Sequence, residues 1–576
     1  MRARLLCTMS TVCLALASAT AAADAKPKMV TSIGPIVGGE DGMVVSSNND
    51  AARVGAAILA DGGNAIDAAV AMQFALGVAE PGYSGIGGGG FMMIYDADTK
   101  SVTVIDSRER APAKAKANMF LQPDGEPVPF DLRRTLGVAV GVPGVLAGLQ
   151  AALDKFGTRS LATLIEPSIA LAEQGVVVTN LLAESLDEHG AILTENPTAS
   201  AVFFPDGEPL RIGDLLVQPD LAETMKTLAD DGIDAFYRGE IGEAFVAEVE
   251  AAGGKMTLAD LKNYEVTFDE PLTGRYGDYE IVTTAPPSSG GITVLQFLDL
   301  LETVDIGNYA VGSSTRYHLV MKAMQLAFAD RNAYLGDPEF IPLDLGAWLD
   351  PKYIAKRAAL IELDDNTCPL PPGNLGDMAP APDLVDDVRA DPQTTHLNVA
   401  DRWGNLVSFT TSIEQHYGTG RMLPGYGFFL NNQLTDFDPL PGRPNSPAPD
   451  KRPLSSMSPT LVFRDGAPVY VLGSPGGPRI IAAVAQVLLN LLEYGLEPEP
   501  AVALPRVFSD LCSRKARWEP GLPAAVRTRL KQWGHSLRDD PEEVGDVGVI
   551  RLEDGTFVGV ADPRRNGVAV GLTRTE

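Results

Sequence analysis

The chain has 576 residues, with 46 Lys and Arg against 75 Asp and Glu, for a net charge of −29 at pH 7. So acidic a balance argues against a nucleic-acid partner, which calls for a basic patch, and gives instead a well-hydrated surface. The five histidines are scattered, and nothing has metal-ligand spacing, so neither a metal nor a cofactor is expected.

Arg2 and Arg4 precede an apolar run over 5–19 and the small-residue stretch 21–25. This pattern predicts a secretory leader over 1–25. The run is too short for a membrane span, and no later segment reaches about 18 uninterrupted apolar residues. The mature chain is therefore expected to be exported, periplasmic or secreted, without a membrane span. Cys7 and Cys13 lie in the leader, which leaves Cys368 and Cys512 either as one bridge or as two unrelated thiols.

Residues 49–59 and 65–78 read as apolar-faced helices separated by Gly62 and Gly63. Residues 91–95 and 102–105 read as strands around a turn at Asp96 to Asp98. Gly87 to Gly90 superficially resembles a dinucleotide fingerprint, but these glycines precede a strand instead of following one, so close backbone packing is the better expectation. From 139 to about 301 the chain reads as mostly helical, with a break near 285–291. The stretch 364–392, rich in Pro, Asp and Gly, reads as irregular, a place where a cut end could move away. Strands follow at 397–400 and 406–411 around a turn at 401–405, then at 460–463 and 469–472 around Asp465 and Gly466. An apolar helix is predicted over 480–492, with Pro478 suited to its first turn.

The chemistry begins at Gln393-Thr394-Thr395-His396, at the head of the first of these later strands. A mid-chain threonine is a poor nucleophile. Cutting Gln393–Thr394 frees an α-amino group, of reference pKa about 7.7–8.0, as a base beside the Thr394 hydroxyl. Downstream, the run 431–437 carries in Asp436 a carboxylate suited to an ammonium group, Ser455 and Ser456 offer adjacent hydroxyls for a carboxylate, and Gly476 and Gly477 precede a helix N-terminus where an oxyanion would be favoured.

These segments, with 61–69, 87–92 and 106–112 before them, closely resemble in content and order the γ-glutamyltransferases (γ-glutamyltranspeptidases, glutathione hydrolases), N-terminal-nucleophile hydrolases. The resemblance covers nearly the whole mature chain. It implies an α+β fold, a four-layer αββα sandwich, in place of the several domains that length alone suggests. It also implies a large subunit, 26–393, and a small subunit, 394–576, produced by self-cleavage and held as a heterodimer. Thr394 would be the nucleophile and Ser412, where the family usually has threonine, would contact it. Arg108 would pair with the substrate α-carboxylate, helped by Ser455 and Ser456. Glutathione and other γ-glutamyl compounds would be donors, and water, amino acids or dipeptides acceptors.

Glu414 stands where many members have asparagine, and this resembles a bacterial branch without a lid loop. The short segment between Asp436 and Lys451 accordingly predicts an open pocket that admits bulky, even polymeric, donors. Two alternatives stay in view. A glutaryl or cephalosporin acylase on the same scaffold would need no ammonium site, and a secreted binding protein would stay uncleaved. Gln433, Asp436 and Glu414 weigh against the first. An intact Thr394 and the glycine turn weigh against the second.

Overall fold

The computed structural model describes residues 29–376, 378, 380–381 and 393–574. The leader segment and residues 382–392 of the irregular stretch lie outside them. Two antiparallel sheets form the centre. The larger has eight strands in the order Met29–Gly34, Val568–Arg574, Gly42–Ser46, Thr395–Asp401, Leu406–Ser412, Gly89–Asp96, Ser101–Asp106 and Thr267–Asp269. The smaller has seven, in the order Ile36–Gly39, Thr556–Val560, Gly548–Glu553, Ala467–Gly473, Thr460–Arg464, Tyr279–Thr283 and Leu272–Tyr276.

Strand alternation sorts the two faces of the larger sheet. Val44, Met92, Ile94, Val399 and Val407 share one core with Val54 and Leu59 of helix Asn49–Ala60 and Ile66 and Val70 of helix Ala65–Ala79. Their neighbours Met43, Val45, Phe91, Met93 and Tyr95 share the other core with Leu461, Val462, Val471 and Ile550 of the smaller sheet. That second core continues into helices Gly290–Thr303, Ser314–Tyr334 and Arg479–Leu492. The order is helix, sheet, sheet, helix, the four-layer α+β sandwich that the family resemblance implied. Emptying one such buried aromatic position, Phe91 to Ala, would cost about 3–5 kcal/mol.

Local chemistry fixes the ends of these elements. Asn64 caps helix Ala65–Ala79 in a capping box with Asp67. Asp401 closes the hairpin after Thr395–Asp401 by accepting from the Trp403 and Asn405 N–H groups, while its other oxygen takes the Ala65 N–H at 2.9 Å. The central hairpin is thereby anchored to a helix start.

The helices at 49–59, 65–78 and 480–492 and the strands at 91–95, 102–105, 397–411 and 460–472 are found within a residue or two of expectation. The region 139–301 differs: strands Thr267–Asp269, Leu272–Tyr276 and Tyr279–Thr283 lie within it and contribute to both sheets. Cys368 and Cys512 form a disulfide with Cα atoms 5.8 Å apart, which decides the question their spacing left open. Among the described residues no helix is long and apolar enough to cross a membrane.

Candidate active site

Thr394 precedes the central strand Thr395–Asp401, which is hydrogen-bonded on both sides and buried throughout. It is 3 % exposed, on the wall of a cavity of about 180 Å³. Arg108, Glu414, Asp436, Ser455, Ser456 and Gly477 line the same cavity. Ser412, Gln433 and Gly476 stand just behind it, at hydrogen-bond or sequence-neighbour distance from lining residues.

The scissile peptide is held at several points. The Ser412 hydroxyl donates to the Gln393 carbonyl at 2.8 Å, and the Gln393 N–H donates to the Glu414 carbonyl at 2.9 Å. Arg565 Nη2 donates to Gln393 Oε1 at 2.6 Å. Below the nucleophile, the Thr395 hydroxyl donates to Glu80 at 3.0 Å and lies 3.0 Å from the Ser47 hydroxyl. Burial raises the Glu80 pKa, opposed by Arg565 and these hydroxyls.

The glycine run explains how Ser412 reaches this position. Strand Leu406–Ser412 pairs with Gly89–Asp96, and a Cβ on Gly88 would come within 2.3 Å of the Ser412 carbonyl oxygen. On Gly90 it would meet the Thr410 carbonyl oxygen at 2.3 Å. Close backbone packing is therefore what these glycines serve.

Glu414 has φ 81°, a left-handed conformation uncommon for a residue with a side chain, and its N–H donates to Ser412 Oγ at 2.8 Å. Its carboxylate accepts from Gln415 Nε2 at 3.0 Å and Gln433 Nε2 at 2.8 Å. Gln433 Nε2 also reaches Asp436 Oδ2 at 3.1 Å, so one amide is shared by the two carboxylates and tempers their repulsion. The Gln433 Oε1 atom is buried without a hydrogen-bond partner. Two asparagines hold this group together. Asn431 takes the Gly141 and Gln433 N–H groups, and Asn432 takes the Gln415 N–H.

Arg108 is 1 % exposed and donates to Asp436 at 2.5 Å and to the Pro453 and Leu454 carbonyls. Arg452, 3.2 Å from Asp106, ties this loop to the serine loop. Burial raises the Asp106 pKa to about 6 against the pull of Arg452. Ser455 Oγ accepts the Met457 N–H at 3.1 Å, which leaves its own proton to donate. Ser456 Oγ accepts from Arg331 at 2.9 Å. Arg331, on the cavity wall, was not anticipated; helix Ser314–Tyr334 also carries Arg316, Lys322 and Asp330, so its charge alone does not single it out.

Gly476 and Gly477 have φ 125° and 56°, and their carbonyls accept the Arg479 and Ile480 N–H groups at the start of helix Arg479–Leu492. The segment 437–450 contributes Asp438, Arg443 and Asn445 to the cavity wall. His396, beside the nucleophile in sequence, is bound to Thr410 and Asn398, and burial lowers its pKa to about 4. It is a neutral structural group at ordinary pH.

Comparison with known proteins agrees with this geometry. The family model described as gamma-glutamyltranspeptidase matches residues 51–572. A glutathione hydrolase proenzyme of Bacillus subtilis (strain 168) is 49 % identical over 546 residues, covering 93 % of this chain and 92 % of that protein. An acylase ACY 1 proenzyme of Pseudomonas sp. (strain SE83) is 38 % identical over 548 residues, covering 93 % and 94 %. Among solved structures, a cephalosporin acylase from Bacillus halodurans superposes with a TM-score of 0.82 at 26 % identity, covering 94 % of this chain and 97 % of that one.

Proposed function

The chain belongs to the gamma-glutamyltranspeptidase family, and on that premise we propose how its residues carry out the family's chemistry. It is a self-cleaving γ-glutamyltransferase and glutathione hydrolase. In maturation the Thr394 hydroxyl attacks the Gln393 carbonyl carbon. The Gln393–Thr394 C–N bond breaks, the nitrogen takes up the proton given by the hydroxyl, and water hydrolyses the resulting ester. The products are a Gln393 carboxylate and a Thr394 α-amine, at the ends of fragments 26–393 and 394–576.

In turnover the α-amine accepts the Thr394 hydroxyl proton as Oγ attacks the γ-glutamyl carbonyl. Gly476 and Gly477 N–H groups stabilise the oxyanion. The amine leaves with the proton, and the γ-glutamyl ester on Thr394 passes to water or to an amino acid or dipeptide. Arg108, Ser455 and Ser456 hold the α-carboxylate, while Glu414, Gln433 and Asp436 hold the α-ammonium. Residues 1–25 direct export to the periplasm or beyond and are removed.

The observation that carries this reading is the cavity itself: Thr394 shares it with the Arg108 guanidinium, beside Ser455 and Ser456, and with the Glu414 and Asp436 carboxylates, groups that complement a zwitterionic amino-acid head. An acylase acting on glutaryl compounds meets no ammonium, and the Glu414 and Asp436 carboxylates on the cavity wall would then face no cationic group of the substrate. The test is a denaturing gel under reducing conditions with N-terminal sequencing, followed by assays on γ-glutamyl-anilide and glutaryl-anilide. A small fragment beginning Thr-Thr-His and preference for the γ-glutamyl substrate is expected. An uncleaved chain would point to a binding protein, and preference for glutaryl-anilide to the acylase.

A further inference from the structure

We propose that Arg565 is a positioning residue for self-cleavage, acting on the scissile bond through the Gln393 side chain. The inference rests on the self-cleavage reading and goes beyond it. Among the described residues Gln393 is held by three bonds, and two of them, to the Ser412 hydroxyl and the Glu414 carbonyl, involve only its backbone. Any residue at this position could make those. The third, from Arg565 Nη2 to Gln393 Oε1 at 2.6 Å, is the one that reads the side chain.

The surroundings of Arg565 favour a fixed guanidinium. It lies over the Tyr83 ring, 5.3 Å from the centroid, and shares a hollow with Gln393, Gly476, Glu542 and Glu543. Glu80, whose carboxylate accepts from the Thr395 hydroxyl, Asp546 and Glu543 attract it through space. One cation therefore feels the acidic groups around the nucleophile and bonds the residue whose carbonyl must be attacked.

The geometry of the step explains why such a link matters. For Thr394 Oγ to add to the carbonyl carbon of the residue before it, the peptide plane must stay turned toward the hydroxyl while its nitrogen takes up a proton. The Ser412 bond fixes the carbonyl oxygen of Gln393 and the Glu414 bond its N–H, which leaves the Cα and its side chain free to rock about the line between those two anchors. A charge-assisted bond to the side chain removes that freedom, and holding a reactive group in an attack geometry lowers the barrier.

The test is a double-mutant cycle on the full-length chain, with the appearance of the Thr394 fragment followed on reducing gels. Arg565→Ala and Gln393→Ala should each slow cleavage by about tenfold or more, the worth of one hydrogen bond to a charged group. The double variant should be no slower than either single one. Gln393→Glu should cleave faster than Gln393→Ala in the parent background and lose that advantage when Arg565 is Ala. Wild-type cleavage measured alongside reports separately on the self-cleavage reading. Gln393→Ala cleaving at the wild-type rate overturns the proposal whatever the folding of the Arg565 variant. So do additive effects, because Arg565 would then be acting through Glu80, Asp546 or Tyr83 and not through Gln393.

Discussion

Arg108 and Asp436 are joined to each other at 2.5 Å across the cavity wall, although they are assigned to opposite charges of the substrate. An incoming amino-acid head must therefore replace one ion pair with two. The exchange keeps the charges balanced at every stage, which is how a buried guanidinium avoids the several-kcal/mol cost of isolation.

The pair's division of labour is measurable. Arg108→Lys keeps the charge but loses the fork, and it should raise KM about tenfold to a hundredfold for both γ-glutamyl-anilide and glutaryl-anilide. Asp436→Asn should lower kcat/KM for the γ-glutamyl substrate alone and collapse the preference between the two. Equal losses on both substrates in the Asp436 variant would remove it from ammonium recognition.

The disulfide has a consequence for the mature protein. Cys368 and Cys512 lie on opposite sides of the Gln393–Thr394 bond. The two cleavage products should therefore remain covalently joined, running as one species without reductant and as two with it. Cys512→Ser should give two bands in either case and lower stability by about 2–4 kcal/mol. Two bands from the parent protein without reductant would show that the bridge does not form.

The acidic limb of kcat/KM should report the Thr394 α-amine, which acts as a base only when neutral. Activity should fall as pH drops through about 7.7–8.0, before any shift by the site. His396 is already neutral down to about 4 and contributes nothing to that limb. Thr394→Ser should keep the limb in place, whereas a limb that moved on replacing His396 by Asn would transfer the base role to the histidine.

Glu109 is buried, and burial raises its pKa from 4.5 to about 8 despite Arg108 beside it and its own backbone N–H. The unfolded chain gives up this proton near 4.5 and the folded chain only near 8. The folded state thus binds more protons in that window, and stability falls as pH climbs through it, then levels off. Glu109→Gln should match the parent in thermal unfolding near pH 4 and exceed it by about 1–3 kcal/mol near pH 9. Parallel pH profiles for the two proteins would assign the loss to another group.

Much of this arrangement was legible in the sequence because it is written in local pattern. Helical faces, the Asp401 to Asn405 turn and the cavity residues Arg108, Thr394, Glu414, Asp436, Ser455, Ser456 and Gly477 each sit in a recognisable run. The strands within 267–283 escaped because two are short edge strands with exposed, polar alternation, a weak signal inside a helical stretch. Their hairpin left one clue in Gly277, whose φ is 54°. Arg331 and Arg565 escaped for a different reason. Each acts through a partner more than a hundred residues away, and nothing local announces that meeting.

The glycine run offers the sharpest check on how the fold sets up the chemistry. Gly88 and Gly85 are three residues apart, yet a Cβ on Gly88 would meet the Ser412 carbonyl oxygen at 2.3 Å, while on Gly85 it would meet nothing within 4 Å. Backbone, unlike the tip of a flexible side chain, cannot step aside without moving the strand end that carries the Ser412 hydroxyl. Gly88→Ala should therefore slow self-cleavage and destabilise the chain by about 1–3 kcal/mol, the usual cost of overpacking. Gly85→Ala should cleave like the parent. If both variants matured at the parental rate, the hydroxyl of Ser412 would not need the strand spacing that these glycines set, and its bond to the Gln393 carbonyl would be incidental to the cut.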